Sequence, residues 1–147
     1  MGTEEFHLRY VIALLAIAGI VVSALALQIH RSQTFETCSI NDHWDCGVVN
    51  HSRYAVFHGV PVAAIGIAGY AVIGALALMR RRSLVLAAAL IGLAFALRLT
   101  YIEAHVLQLW CIYCVSSQGI IAAITLLAIG WPIWGSRRRY SSGRPYA

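Results

Sequence analysis

Four long apolar runs dominate the chain and constrain its fold more than any other feature. They cover residues 10–27, 60–79, 84–104 and 107–134. Each is close to the roughly 20 residues that cross a bilayer as a helix. In lipid only helices and closed barrels satisfy their backbone groups, and these runs lack the alternation of barrel strands. We predict an all-α integral membrane protein, a four-transmembrane-helix bundle with helices near 8–28, 60–79, 84–104 and 108–134.

Composition excludes the other broad classes of protein. Hydrophobic residues make up 60% of the 147 residues and charged residues only 12%, whereas a soluble domain has about 25% charged residues. A soluble globular enzyme and a disordered chain are both excluded on this ground. The net charge of +5 comes from arginines alone. They cluster at the ends of apolar runs, and this placement argues against nucleic-acid binding.

The arginine clusters predict the orientation. The clusters 80–82 and 137–139 are expected in the cytoplasm, because short cytoplasmic segments are rich in basic residues. Both termini and a tail over 135–147 would then be cytoplasmic, and a long loop over 29–59 would lie outside a bacterial inner membrane. We expect one membrane domain over 1–147. Cleavage of the first helix as a signal peptide at Ala24-Leu25-Ala26 is the alternative, which Glu4 and Glu5 oppose.

The cysteines carry the chemistry, and all four fall on the predicted outer side, where disulfides persist. Cys111 and Cys114 form a C-x-x-C at the start of the fourth helix. Residues i and i+3 share a helix face, and the helix N-terminus favours a thiolate at Cys111. A thiolate attacks disulfides, so the pair predicts a redox centre. Half of a zinc site and an inert bridge are the alternatives.

Cys38 and Cys46 lie in the first outer loop among polar residues. A static loop disulfide would explain them, but two pairs on one face suggest a relay by thiol–disulfide exchange. No nucleotide, flavin or haem motif is present, so the expected electron acceptor is a membrane quinone that meets Cys114. The competing class is a metal-binding or structural membrane protein with static disulfides. The outer histidines could join a metal site, although their spacing fits no compact zinc pattern.

The order of these motifs resembles the vitamin K epoxide reductase family. The resemblance rests on the two cysteine pairs, on residues 50–55 (NHSRYA) and 57–61 (FHGVP), on Gly66 and Tyr70, and on 101–104 (YIEA) before 110–114 (WCIYC). Disulfide-forming membrane oxidases of the DsbB type are a related class with a similar helical bundle. They carry the C-x-x-C in the first outer loop, so the order here favours the vitamin K epoxide reductase type.

The resemblance implies four helices around a quinone of the ubiquinone, menaquinone or vitamin K type. It implies that a thioredoxin-like partner exchanges with Cys38, that Cys46 exchanges with Cys111, and that Cys114 meets the quinone. Since the chain ends at Ala147, we expect a separate periplasmic partner. No metal is expected. Catalytic residues would be the four cysteines and Ser52, with quinone contacts at Phe57, Val62, Tyr113 and Gln118.

Two of these positions differ from the animal members of the family, and Ser52 has a second explanation. Val62 stands where animal members place an asparagine, and Gln118 where they place a tyrosine. Gln118 could donate to the quinone through its amide or bond a neighbouring helix. Ser52 could position the Cys46–Cys111 exchange or simply cap a short helix.

Glu103, near the outer end of the third helix, is expected to be solvated.

Overall fold

The computed structural model describes residues 3–32 and 39–141, and gives only the backbone of Ser39 and of residues 132–141. Cys38 and residues 142–147 lie outside this part of the chain. Four long helices make up most of the structure: α1 (Thr3–Arg31), α3 (Val62–Leu78), α4 (Arg82–Ile102) and α5 (Ile112–Ser141). A short helix α2 (Cys46–His51) lies in the connection between α1 and α3.

Three of the helices are long and apolar enough to cross a membrane. These are α1, α4 together with the π-helical turn Glu103–Leu107, and the part of α5 up to Trp131. The 17 residues of α3 fall at the short end of the spanning range. Large apolar side chains on the outer faces of the helices, such as Leu14, Ile91 and Leu126, are exposed. That exposure suits lipid, because soluble proteins rarely leave so much apolar surface uncovered.

The helix ends differ from the predicted ones. The first helix starts before residue 8 and continues through Arg31, so it includes the start of the predicted loop. The last helix begins at Ile112, four residues after the predicted start, and continues to Ser141. The predicted tail is therefore helical over its first half. Hydropathy marks only the apolar part of a helix, whereas polar residues such as His30 and Arg31 can extend it into the headgroup region.

The segment between α1 and α3 is folded in the part that the structure describes. Strands β1 (Ser39–Asn41) and β2 (Trp44–Asp45) pair antiparallel and lead directly into α2. After a 3-10 turn at Arg53–Ala55, strands β3 (Val56–Phe57) and β4 (Val60–Pro61) form a second hairpin. Its two loop residues, His58 and Gly59, both have positive φ, as a type I′ turn requires.

Small residues let α1 and α3 pack closely. A Cβ at Gly19 would lie 2.5 Å from the ring of Tyr70, and one at Gly66 would lie 2.8 Å from the Ser23 hydroxyl. The Tyr70 hydroxyl donates in turn to the Ser117 carbonyl at 2.8 Å, which ties α3 to α5. The bundle core, which includes Ile12 and Ile124, lies between these helices.

At the end of the bundle away from the cysteines, charged side chains link α1 to α4. Glu5 on α1 forms an ion pair with Arg82 at the start of α4. The Arg82 guanidinium also lies over the Trp131 ring, 5.6 Å from its centroid. Trp131 is buried in the core, although its place near the end of the last apolar run predicts an interfacial side chain.

Candidate redox site and quinone cavity

The connection from α4 to α5 positions Cys111. The π-helical turn Glu103–Leu107 ends at Gln108, which is in the left-handed conformation with φ 53°. Trp110 then runs beside β2: its amide donates to the His43 carbonyl at 2.8 Å, and its carbonyl accepts from Asp45 at 3.1 Å. The Trp44 and Trp110 rings pack with centroids 6.4 Å apart. These contacts fix the residues that directly precede Cys46 and Cys111.

Cys46 and Cys111 consequently lie in one buried cluster with Ile29 and Val49, and neither cysteine is exposed. Cys46 is disulfide-bonded, while Cys111 and Cys114 are free thiols. Cys38, the predicted contact of the partner, lies outside the described residues. The structure thus places the second loop cysteine and the first cysteine of the C-x-x-C in one buried cluster.

Asn50 joins the two cysteines, and the sequence analysis missed it. It lies on α2, one turn after Cys46, and is buried. Its side-chain amide donates to the Cys46 carbonyl at 2.8 Å and to the Cys111 sulfur at 3.4 Å. The backbone carbonyl oxygen of Asn50 lies 2.5 Å from Nδ1 of His30, at the end of α1. Asn50 therefore fixes α2 to both α1 and the start of α5.

The surroundings of Cys111 favour its thiolate. The pKa of Cys111 is lowered, first by the hydrogen bond from the Cys114 thiol and then by the backbone amides of Cys114 and Tyr113; burial and the nearby Glu103 oppose this shift. The amides belong to the first turn of α5, where unpaired N–H groups point out of the helix. The prediction of a helix-start thiolate at Cys111 agrees with this arrangement, although the neighbouring thiol contributes more than the helix does.

Glu103 is buried, and the expectation that it would be solvated is wrong. Only 4% of its surface is exposed. Its Oε2 accepts the backbone amide of Cys111 at 3.3 Å, and its carboxyl also forms a hydrogen bond with the Cys114 thiol. Position along the helix suggested the membrane surface, but the π-helical turn and the chain reversal at Gln108 fold the next segment over it.

A cavity of about 680 Å³ opens beside Cys114. Polar residues of its lining at the cysteine end include His30, Ser52, Glu103 and Cys114, and Ser23, Tyr70 and Ser117 line it from within the helices. From the cysteine end the cavity runs between α1, α3, α4 and α5 along apolar residues, among them Ile65, Ile73, Ile91 and Phe95. Volumes of about 300–1,000 Å³ are usual for small-molecule sites. An apolar cavity with a few polar groups at one end fits a lipid-soluble ring with a hydrocarbon tail.

Comparison with protein families supplies the remaining observation. The family model described as "Vitamin K epoxide reductase family" matches residues 10–129, which is most of the chain. The chain belongs to the vitamin K epoxide reductase family. It is therefore a membrane oxidoreductase of the thiol-dependent type, in a family that generally uses quinone-type substrates and thioredoxin-like partners.

Three of the four quinone contacts expected from this family line the cavity: Phe57, Val62 and Tyr113. Phe57 also packs edge-on against Phe95 of α4, with ring centroids 5.9 Å apart. Gln118 does not occur among the described lining residues. Its side-chain oxygen instead accepts from the Thr100 hydroxyl at 2.9 Å, which is the helix–helix bond considered as its alternative role.

Ser52, which the family resemblance places near the exchange step, lies between α2 and the 3-10 turn. It precedes Arg53–Ala55 as a cap residue should, but its side chain makes no capping bond to that turn. The hydroxyl donates backwards to the Val49 carbonyl at 2.8 Å. Ser52 also lines the cavity.

Within residues 3–32 and 39–141, no three His, Cys, Asp or Glu side chains come together as a metal site.

Proposed function

We propose that this protein relays electrons from a thioredoxin-like protein to a membrane quinone. The partner's dithiol would reduce the loop disulfide through Cys38, and Cys46 would then pass the electrons to Cys111. Oxidation of the Cys111–Cys114 dithiol would reduce the quinone to a quinol. The net result is formation of disulfide bonds in the partner and, through it, in proteins outside the membrane.

The position of Cys111 carries this proposal. Cys111 is fully buried against Cys46 on one side, and its C-x-x-C partner Cys114 lines the cavity on the other. Electrons would then pass from Cys46 to Cys111 and Cys114, in the order in which these residues lie between the loop and the cavity. A static disulfide protein would have no need for a thiol pair between a disulfide-bonded cysteine and a ligand-sized cavity.

The cavity residues support a quinone as the acceptor. We propose that Phe57, Val62 and Tyr113 contact the quinone ring near Cys114, with the isoprenoid tail between the helices. Val62 offers only an apolar side chain where animal members place an asparagine. Gln118 would reach the ring only by giving up its bond to Thr100. We therefore infer a plain quinone, of the ubiquinone, menaquinone or vitamin K type, as the substrate.

The placement in the membrane follows from the same proposal. We infer that α3 is the fourth span and that both termini are cytoplasmic, which puts Cys46, Cys111 and the hairpin of β3 and β4 at the outer face of a bacterial inner membrane. The partner would be a separate periplasmic protein, and Ser52 would help position the Cys46–Cys111 exchange from its place beside the cavity.

The test counts thiols on the purified, reduced protein before and after a soluble quinone is added, by alkylation and intact mass. We expect two or four thiols to disappear while an equivalent amount of quinone is reduced. Cys114→Ala should abolish quinone reduction. Cys38→Ala should block electron entry from a thioredoxin-like protein but leave a dithiol-driven reaction through Cys111 and Cys114.

Ser116→Ala is the matched control, because Ser116 is exposed on α5 two residues beyond Cys114. It should behave as the wild type does. Full quinone reduction by the Cys114→Ala variant would overturn the relay. Thiols that stay free in the presence of quinone, together with a stoichiometric metal in the purified protein, would indicate the metal-binding alternative.

A further inference from the structure

The reaction at the cavity moves protons as well as electrons. For each quinone reduced, the S–H bonds of Cys111 and Cys114 break, one S–S bond forms, and the electron pair passes to the quinone, which gains two O–H bonds. Cys111 can lose its proton early, since its surroundings stabilise the thiolate. The Cys114 thiol is half-buried and faces a largely apolar cavity. Its proton needs an acceptor inside the protein.

Glu103 is placed to be that acceptor. Among the described residues that line the cavity, it carries the single carboxyl group. It is almost fully buried, forms a hydrogen bond with the Cys114 thiol, and is held in place by the Cys111 amide at 3.3 Å. A buried carboxylate is costly unless it is paired and hydrogen-bonded, and among the described residues no Lys, Arg or His forms an ion pair with Glu103.

We propose that Glu103 is a catalytic residue that takes the proton from the Cys114 thiol and delivers it to an oxygen of the quinone. The Cys111 proton leaves to water when its thiolate forms, and the quinol takes its second proton from water at the outer face. Protons, electrons and bonds then balance for each turnover. This role rests on the proposed quinone reaction, and it gives that reaction its internal general base and acid.

The other titratable groups around Glu103 are accounted for. His30 from α1 shares the cavity but has Nδ1 against the Asn50 carbonyl. Cys111, directly before α5, donates its amide to the carboxyl. Tyr113 and Cys114 on α5, Tyr70 on α3 and Tyr54 in the connection between α1 and α3 line the cavity. His105, on the same π-helical turn, is exposed and packs on Tyr101, with ring centroids 4.5 Å apart.

The test compares Glu103→Gln with the wild type in single-turnover reduction of a soluble quinone by the pre-reduced protein. Glutamine keeps the size of the side chain and an oxygen for the Cys111 amide, but cannot carry the proton. We expect about a 100- to 10,000-fold slower reaction. The rate of the variant should also rise with pH more steeply than that of the wild type, because the Cys114 proton must leave to water or hydroxide.

Two further variants complete the set. Glu103→Asp retains the carboxyl and should keep the wild-type shape of the pH profile at a reduced rate. Glu5→Gln makes the same chemical change at the other end of the bundle and should leave the reaction unchanged. Quinone binding, measured by fluorescence quenching, should be the same in Glu103→Gln as in the wild type. A wild-type rate in Glu103→Gln, or a loss of rate that is equal at every pH, would overturn the proposal.

Infrared difference spectra of the wild type extend the test to the case in which Glu103→Gln does not fold. In time-resolved spectra, oxidation of the dithiol by quinone should produce a transient carboxylic-acid C=O band, which appears as Cys114 loses its proton and decays as the quinol forms. The band should shift in heavy water and with isotope-labelled glutamate, and Glu5→Gln should retain it. No glutamate carboxyl signal would refute the proton role. If the wild type itself fails to reduce quinone, the proposed function fails; if only the Glu103 effects are missing, the relay stands without this proton carrier.

Discussion

The side-chain amide of Asn50 donates to the sulfur of Cys111 across 3.4 Å, and the same nitrogen donates to the Cys46 carbonyl at 2.8 Å. One buried side chain thus touches both cysteines whose sulfurs must meet in the proposed exchange. A hydrogen bond to the sulfur stabilises its charged form more than its neutral form. Asn50 therefore favours the Cys111 thiolate, which is the leaving group when the Cys46–Cys111 exchange is completed. Its place on α2 also keeps Cys46 in register with the start of α5.

Asn50→Leu is expected to slow the Cys46–Cys111 exchange by about fivefold to tenfold, since a hydrogen bond of this kind contributes about 1 kcal/mol. Asn50→Asp should slow it further, because a carboxylate beside the sulfur disfavours the thiolate. Rapid quenching with an alkylating reagent, followed by intact mass, measures the rate. The ultraviolet titration of the Cys111 thiolate should move to higher pH in both variants. An unchanged rate and titration in Asn50→Leu would show that Asn50 only fills space.

The Cys114 thiol is the largest cause of the lowered pKa of Cys111. A lowered pKa means that Cys111 ionises at a pH below that of an ordinary thiol, so its exchange rate levels off at a lower pH. Cys114→Ala removes that hydrogen bond and should move the midpoint of the Cys111 thiolate titration to higher pH. The titration is followed by thiolate absorption with the loop disulfide intact. Ser116→Ala should keep the wild-type midpoint; a Cys114→Ala midpoint at the wild-type value would contradict the assignment.

Much of the site could be predicted from the sequence because its signals are local. The C-x-x-C stands at the start of an apolar run, and the arginine clusters predict that this end of the bundle lies at the outer face. Asn50 and Glu103 gave no comparable signal. Asn50 became a contact of Cys111 through the backbone bonds that join Trp110 to His43 and Asp45, and such pairing between distant segments is not visible in a single sequence.

The burial of Glu103 is likewise not indicated by hydropathy. A glutamate near the end of an apolar run is usually solvated or lies at the headgroup level. Here the helix changes to a π-helical turn and the chain reverses at Gln108, so that the Cys111 amide closes over the carboxyl. Neither event follows from hydropathy. For Gln118 the sequence predicts a ligand contact that the structure does not show. Its side-chain oxygen accepts a hydrogen bond from Thr100 of the neighbouring helix.

The close contact between α1 and α3 predicts a stability effect at Gly19. A Cβ there would lie 2.5 Å from the Tyr70 ring, and the ring cannot move freely because its hydroxyl is bonded to Ser117. We expect Gly19→Ala to lower the free energy of unfolding by about 1–3 kcal/mol, as overpacking does. Gly119→Ala, where a Cβ meets nothing within 4 Å, is the control. The free energy of unfolding is measured in detergent. Equal values for both variants and the wild type would contradict this packing.

The inferred orientation makes His58 and Arg81 reporters of opposite sides of the membrane. His58 is in the exposed turn between β3 and β4, which precedes α3, and Arg81 precedes α4 at the other end of α3. In a variant that lacks the four native cysteines, His58→Cys should react with a membrane-impermeant maleimide in intact cells. Arg81→Cys should react only after the membrane is permeabilised, since the arginine cluster is expected in the cytoplasm. Equal labelling of both in intact cells would mean that α3, at 17 residues, does not cross the bilayer, and the reverse pattern would place the redox site on the cytoplasmic side.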